Sequence, residues 1–271
     1  MQQESLIKLL TPVLALSDEA SMSTLQSGAI NKVYRLHDGD RTFAVKWVGD
    51  DVFSGINRLH QFVLQEQLAH RHIAPEPLWL SDDGRLWVEE WVEPDVSISQ
   101  DNRDKVQVLA NILSTIHRQP ITAQPLELTR RWDHYIESAG LASVDPLVHE
   151  AHALHESLHL DFNDDDVLTL CHNDLSWGHI LNVSGPVVVD WEYGAMGNRY
   201  FDLASCCAVN EFSEAESSML CQHYAQASEI PSEVVFQHYK LQTQVVKVTN
   251  RLWQAALGKS RGKAIEPPVV M

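Results

Sequence analysis

No apolar run in the 271 residues approaches the roughly 20 needed to cross a bilayer, which excludes a membrane-spanning helix. Positive charge is scarce: 20 Lys and Arg stand against 37 Asp and Glu, a formal charge of −17. A field of that sign repels phosphodiester backbones and anionic membrane surfaces, so it argues against nucleic-acid binding and favours cationic ligands. Cysteine is sparse as well. Cys171, Cys206, Cys207 and Cys221 show no CxxC pairing and no regular spacing, and they read as reduced thiols of a cytoplasmic protein. The opening "MQQESLIKLLTPVL" has neither a basic lead nor a small-residue cleavage site. Its Leu6, Leu9, Leu10, Val13 and Leu14 recur at helical spacing, so it reads as an amphipathic helix and not as a signal peptide. Internal repeats and low-complexity segments are also missing.

With 44% apolar and 21% charged residues, the chain has the composition of a globular protein with one large domain or two modest ones. Two hairpins stand out early. "KVYRLHDGDRTFAVKWV" turns at Asp38-Gly39-Asp40, and "EPLWLSDDGRLWVEEWVEP" turns at Asp82-Asp83-Gly84. Between them "GINRLHQFVLQEQLAHRH" reads as a helix. Residues 1–93 are therefore expected to form a β-rich lobe with a helix packed on it. From Asn102 the pattern changes. Val106, Leu109, Ala110, Leu113 and Ile116 mark a helix closed by Pro120, and Leu147, Ala151, Leu154 and Leu158 mark another. Helices are expected again after "RYFDLASCC" to about Leu257, and the tail "GKSRGKAIEPPVVM" has no periodicity. Residues 94–271 thus read as a mostly helical lobe.

The chemistry is concentrated in "TLCHNDLSWGHILNVSGPVVVDWEYG". Asp174 and Asp190 bracket a short hairpin with no Lys or Arg between them. Two neighbouring carboxylates would repel unless a divalent cation lies beside one and the other takes a proton. Hard cations choose oxygen ligands, so Asp190 with Mg²⁺ is a natural pair. Lys46, inside "FAVKWV", must snorkel, pair with an acid or meet a ligand anion. In "LQSGAINKVY", Ser27-Gly28-Ala29 would let backbone N–H groups approach an anion. In that order, a small-residue turn, a strand lysine, a His-x-Asp loop and a strand-end Asp could hold a nucleotide triphosphate for phosphoryl transfer.

These residues resemble the small-molecule branch of the protein-kinase-like fold: choline/ethanolamine kinases, bacterial thiamine kinase and aminoglycoside phosphotransferases. "SGAINKVYRL" resembles the phosphate loop, "AVKW" the strand with the phosphate-pairing lysine, and "NILSTIHRQP" the Leu-His helix end. "HNDL" is similar to the catalytic loop, "VVVDWEYG" to the metal-binding segment and "RYFDLAS" to the Asp-Leu-Ala segment. The resemblance implies an α+β, two-lobed fold with a small β-rich N-lobe and a larger helical C-lobe. It implies ATP and Mg²⁺ as cofactors, with a small cationic alcohol of choline, ethanolamine or thiamine type as partner and phosphate acceptor. Under it, Asp174 accepts the substrate proton and His172 braces its loop. Asp190 binds the metal, and Glu192 assists the metal or the substrate. Lys46 pairs with the phosphates beneath the Ser27, Gly28 and Ala29 backbone. Trp87 to Val92, with Glu90 and Trp91, receives the adenine, and Asp202 anchors the catalytic loop.

The sequence departs from the family pattern at two points. His179 stands where a second metal ligand, Asn, is usual, and imidazole suits Mn²⁺ better than Mg²⁺. The helix glutamate that pairs with the lysine is taken as Glu66, which shares a face with Leu59, Phe62 and Val63, although counting back from Ile73-Ala-Pro75 falls on Gln61. An aminoglycoside-type phosphotransferase and a nucleotide-binding pseudokinase are the alternatives. Trp177, Trp191 and Tyr193 are either a cation-binding wall or core. His149, His152, His155 and His159 read as solvated imidazoles, and Asp164-Asp165-Asp166 as a solvated loop preceding a strand.

Overall fold

The computed structural model describes residues 3–27, 31–48, 52–94, 102–158 and 168–262. They form two compact units. The first comprises Met1–Asp51, Asn57–Ile98 and Gly178–Glu192, and the second comprises Val52–Ile56, Ser99–Trp177 and Tyr193–Met271.

In the first unit, α1 (Gln3–Leu14) precedes three strands, β1 (Ser21–Ser27), β2 (Asn31–Asp38) and β3 (Arg41–Val48). Helix α2 (Arg58–Ala69) follows, then β4 (Pro77–Leu80) and β5 (Leu86–Glu90). The sheet is antiparallel in the order β1-β2-β3-β5-β4. Both expected hairpins are present. Their turns rely on Gly39 and Gly84, whose φ of +61° and +70° lie where a Cβ would be strained. Alternation sorts the strand residues between two faces. One face packs Leu36, Val45 and Val88 against Leu6 and Leu10 of α1. The other carries Ala44 and Lys46 on β3 and Trp87 and Glu89 on β5. Helix α2 lies on this second face, with Phe62 edge-on to Trp87 at 5.4 Å. A last hairpin, β6 (Ile180–Asn182) with β7 (Val187–Val188), also belongs to this unit and is tied to it by the Val188 N–H donating to Ile73 O at 2.7 Å.

The second unit is mostly helical: α3 (Asn102–His117), α4 (Leu128–Ala139), α5 (Pro146–Leu158), α6 (Arg199–Val209), α7 (Glu214–Ser228) and α8 (Ser232–Gly262). All five apolar positions expected on the inner face of α3 are buried. The stretch "RYFDLASCC" is itself helical: Asn198 caps α6 by accepting from the Tyr200 N–H at 2.9 Å. A small ladder pairs β8 (Leu168–Cys171) with β9 (Ala195–Asn198). "AMGN" has no strand signature of its own, and its partner supplies the pairing. Helix α8 runs past Leu257 to Gly262, and the rest of the tail lies outside the described residues. So do His159 and Asp164 to Asp166. Among the described residues no helix is long and apolar enough to cross a membrane.

Candidate active site

Strand register explains the surroundings of Lys46. It lies opposite Trp87, while Ala44 lies opposite Glu89, so Lys46 and Glu89 are diagonal neighbours on one face. Lys46 Nζ is 3.0 Å from Glu89 Oε1 and 3.9 Å from Asp190 Oδ1. The second Glu89 oxygen accepts from Trp87 Nε1 and from Gln65 Nε2, both at 2.8 Å. Burial alone would push the Lys46 pKa down, but Glu89, Asp190 and Glu192 outweigh it and hold the pKa above the ordinary lysine value. Nζ is buried and paired with Glu89, and an ammonium with three donors has capacity beyond that pair for an anion.

The partner of Lys46 is therefore Glu89, and this corrects the expectation of Glu66. Glu66 is exposed. Helix α2 turns its other side inward, burying Gln61, Leu64, Gln65 and Leu68 while Leu59 and Val63 remain 64% and 47% exposed. The buried Gln65 amide nitrogen has both of its donors used, since it also donates to Pro75 O at 3.1 Å, whereas Gln65 Oε1 has no partner among the described residues.

Asp190 follows β7 with a positive φ of +69°, uncommon for a non-glycine residue. Its Oδ2 is 3.6 Å from His179 Nε2, and the Val189 N–H donates to His179 O at 2.9 Å. Asp190 and His179 thus sit together at the open end of the β6–β7 hairpin, with partly exposed side chains. A carboxylate beside an imidazole is a donor set that a divalent cation can use, Mn²⁺ more readily than Mg²⁺. Glu192 is instead engaged by Arg58, whose Nη1 lies 2.9 Å from Glu192 Oε2. Trp191 is core: fully buried, its Nε1 donates to Val188 O at 2.8 Å.

Ser27 ends β1 opposite Lys32, whereas Gly28 and Ala29 lie outside the described residues. Glu90 is exposed at the end of β5, its N–H donating to Glu76 O at 2.8 Å. Trp91 donates from Nε1 to Glu93 at 2.7 Å and carries the Arg35 guanidinium 4.6 Å from its ring centroid.

In the second unit, β8 delivers the chain into His172-Asn173-Asp174, and α6 holds that loop. Asp202 accepts the His172 N–H at 2.8 Å and the Asn173 N–H at 2.7 Å, one on each carboxylate oxygen. Ser205 Oγ donates to Asn173 O at 2.7 Å. Asn210, just past the helix, accepts the Trp177 N–H at 2.8 Å and donates to Leu175 O at 3.0 Å. Residue 173 needs this fastening, since its φ is +65°. His172 is fully buried, and its Nδ1 faces the Asp174 N–H at 3.3 Å. The Asp174 side chain is partly exposed.

His117 completes the anchor. Its Nε2 is 3.1 Å from Asp202 Oδ2, and its Nδ1 is 2.7 Å from the Tyr224 hydroxyl. Burial lowers its pKa, partly opposed by Asp202, and the neutral ring can donate to the carboxylate while accepting from the tyrosine. Cys171 lies close enough to form a metal-sized cluster with His117 and Asp202. The nitrogens and carboxylate oxygens are already hydrogen-bonded and burial pushes the thiol pKa up, so the cluster is structural. His149 and His152 are exposed on α5. Tyr193 accepts from Asn173 Nδ2 at its carbonyl and from Trp253 Nε1 at its hydroxyl, at 2.8 and 3.0 Å. The Arg131 guanidinium stands 5.4 Å from the Tyr193 ring centroid, and Lys105 Nζ 5.5 Å from that of Trp177.

The model of the phosphotransferase enzyme family matches residues 21–235. The chain belongs to that family. Solved structures agree on the fold of this phosphotransferase. Choline kinase LicA from Streptococcus pneumoniae is 20% identical, with 97% of this chain and 92% of that chain covered at a TM-score of 0.72. Plasmodium vivax ethanolamine kinase Pv091845 is 16% identical, with 93% and 81% covered at 0.74. An aminoglycoside-3'-phosphotransferase of type VIII is 21% identical, with 89% and 98% covered at 0.60. LicA has also been solved in complex with AMP. No curated protein matches the sequence. The expected kinase-like fold, with an N-terminal antiparallel sheet and a mostly helical remainder, is thus the fold of this phosphotransferase.

Sequence reasoning missed Glu89, Gln65, Arg58, Ser205 and Asn210. Only Glu89 carried a readable signal. In "LWVEE" it sits two positions from Trp87 and so on one strand face with it, and period-two counting would have found an inward carboxylate.

Proposed function

We propose that this phosphotransferase moves the γ-phosphoryl group of ATP to a hydroxyl of a small alcohol. The observation that carries the reading is Lys46: a buried, charged amine between Glu89 and Asp190 with donor capacity beyond its pair with Glu89. Such a group is suited to a nucleotide phosphate, with the Ser27–Ala29 backbone and the Glu90–Trp91 segment proposed to hold the rest of the nucleotide. Asp174 is proposed to accept the hydroxyl proton of the acceptor, and buried His172 to brace the loop that carries it. Asp190 and His179 would hold the divalent cation, which when bound neutralises charge on the terminal phosphates. Because one donor is an imidazole, transfer is expected to be faster with Mn²⁺ than with Mg²⁺.

The proposed acceptor is a cationic alcohol of choline, ethanolamine or thiamine type. Two observations support it: the charge of −17, and aromatic faces at Tyr193 and Trp177 that already attract protein cations. A cationic acceptor would exchange with Arg131 or Lys105 there. His179 favours one competing reading, a pseudokinase whose metal site has decayed.

The deciding experiment is transfer of labelled phosphate from ATP to choline, ethanolamine, thiamine and an aminoglycoside, with Mg²⁺ and with Mn²⁺. Product that disappears in Asp174→Ala supports the kinase and names its acceptor. ATP binding without transfer to any acceptor, combined with a large gain of turnover in His179→Asn, would favour the decayed site. Equal rates with both metals and no effect of His179→Ala would remove the histidine from the metal site.

A further inference from the structure

Loop 188–192, which carries Asp190, is gripped from both ends of α2. Before Asp190, the Val188 N–H donates to the carbonyl of Ile73, four residues beyond the helix. After it, Glu192 is held by Arg58, the first residue of the helix. Arg58 Nη1 also donates to Gln61 Oε1 at 2.9 Å, and Asn57 caps this end of α2 by accepting from the Leu59 and His60 N–H groups. The Arg58 and Glu192 side chains are 10% and 13% exposed, so this is an interior ion pair. Between the two grips stands Asp190 in a left-handed backbone conformation, which persists only where the surroundings over-determine it.

We propose that Arg58 is a positioning residue: through Glu192 it holds the Asp190 carboxylate in the pose that receives the divalent cation. The proposal rests on the reading of Asp190 as the metal ligand. It divides the work of this unit differently from the sequence expectation. Lys46 takes its carboxylate from Glu89 in its own sheet, and α2 serves the metal loop. Glu192 therefore acts as a tether, with its carboxylate spent on a guanidinium.

The test is a Mn²⁺ titration of the full chain saturated with ADP, read by electron paramagnetic resonance. It compares the wild type with Arg58→Ala, Arg58→Lys, Glu192→Gln and Asp190→Asn. Loss of a group that orients a metal ligand weakens metal binding by roughly 10–100-fold, and that is expected for Arg58→Ala. Arg58→Lys, which keeps the charge, should recover most of the loss. ADP binding without metal should change less than about twofold in either variant, because the Lys46–Glu89 pair is untouched. Should Arg58→Ala not fold, Arg58→Lys and Glu192→Gln carry the comparison, with weaker Mn²⁺ binding expected in Glu192→Gln. Wild-type Mn²⁺ affinity in a folded Arg58→Ala, or in Glu192→Gln when Arg58→Ala does not fold, overturns the proposal. Tighter binding in Arg58→Ala, which would mean that Glu192 is a ligand freed by the change, overturns it as well. Unchanged Mn²⁺ binding in Asp190→Asn would instead overturn the reading of Asp190, and the tether with it.

Discussion

Lys46 stays charged in the interior because two kinds of neighbour surround it. Glu89 is a permanent partner, itself fixed by Trp87 and Gln65, whereas Asp190 is farther away and partly exposed. Removing only the permanent partner leaves a buried amine balanced by the more distant Asp190 and Glu192 alone, against a cost on the order of 3–5 kcal/mol for a fully unpaired charge. Glu89→Gln is therefore expected to lower the urea midpoint sharply and to weaken nucleotide binding. The double variant Glu89→Gln/Lys46→Met should recover stability without recovering nucleotide binding. Equal urea midpoints for wild type and Glu89→Gln would contradict this account. Asp174 is the complementary case. Its carboxylate is partly exposed and the loop is held through backbone atoms, so Asp174→Asn should remain folded and bind ATP normally. Its turnover should fall by about 10²–10⁴-fold, the usual worth of a positioned base.

At the scale of elements, α6 acts as a clamp. Asp202, Ser205 and Asn210, spaced along one helix and its cap, hold backbone atoms of residues 172, 173, 175 and 177. Asn210 holds both a donor and an acceptor of that backbone. Asn210→Ala leaves them without these partners at a cost of about 1–3 kcal/mol, and faster amide exchange at Trp177 is the specific sign. Exchange at Leu170, inside the β8–β9 ladder, should be much less affected. Helix α2 shows the limit of pattern reading at this scale. Leu59 and Val63 suggested an inner face together with Phe62, yet only Phe62 packs inward, and Gln61 and Gln65 are buried with Arg58, Pro75 and Glu89 engaging their side chains.

Across the whole molecule, the balance of charge and buried polar groups sets the response to pH. The buried His117 ring has its pKa pushed below the ordinary 6.5. As pH falls through 6.5 the unfolded chain takes up a proton that the folded protein refuses. Stability contributed by the neutral ring is therefore full above that pH and declines below it, by up to about 1.4 kcal/mol per pH unit. Urea midpoints should fall between pH 7.5 and 5.5, and His117→Gln should flatten that slope whatever it does to the midpoint at pH 7.5. The four cysteines are free and buried, and burial raises their thiol pKa values. They should resist thiol reagents until the protein unfolds.

Hairpins, the inner face of α3 and the order of small-residue turn, strand lysine, His-x-Asp loop and strand-end Asp were legible from local pattern. Each depends on spacing along the chain: period two, period 3.6 or glycine at a turn. The family followed from the same order, since no residue in it needs a distant neighbour to be recognised. Pairing was another matter. Glu89 rather than Glu66 meets Lys46, Arg58 meets Glu192, and "AMGN" becomes a strand, each because a partner far away in sequence is brought alongside. A buried polar residue is stable or ruinous according to the group that faces it. Spacing along a chain carries no record of what will face what, so these choices were made only when the chain folded.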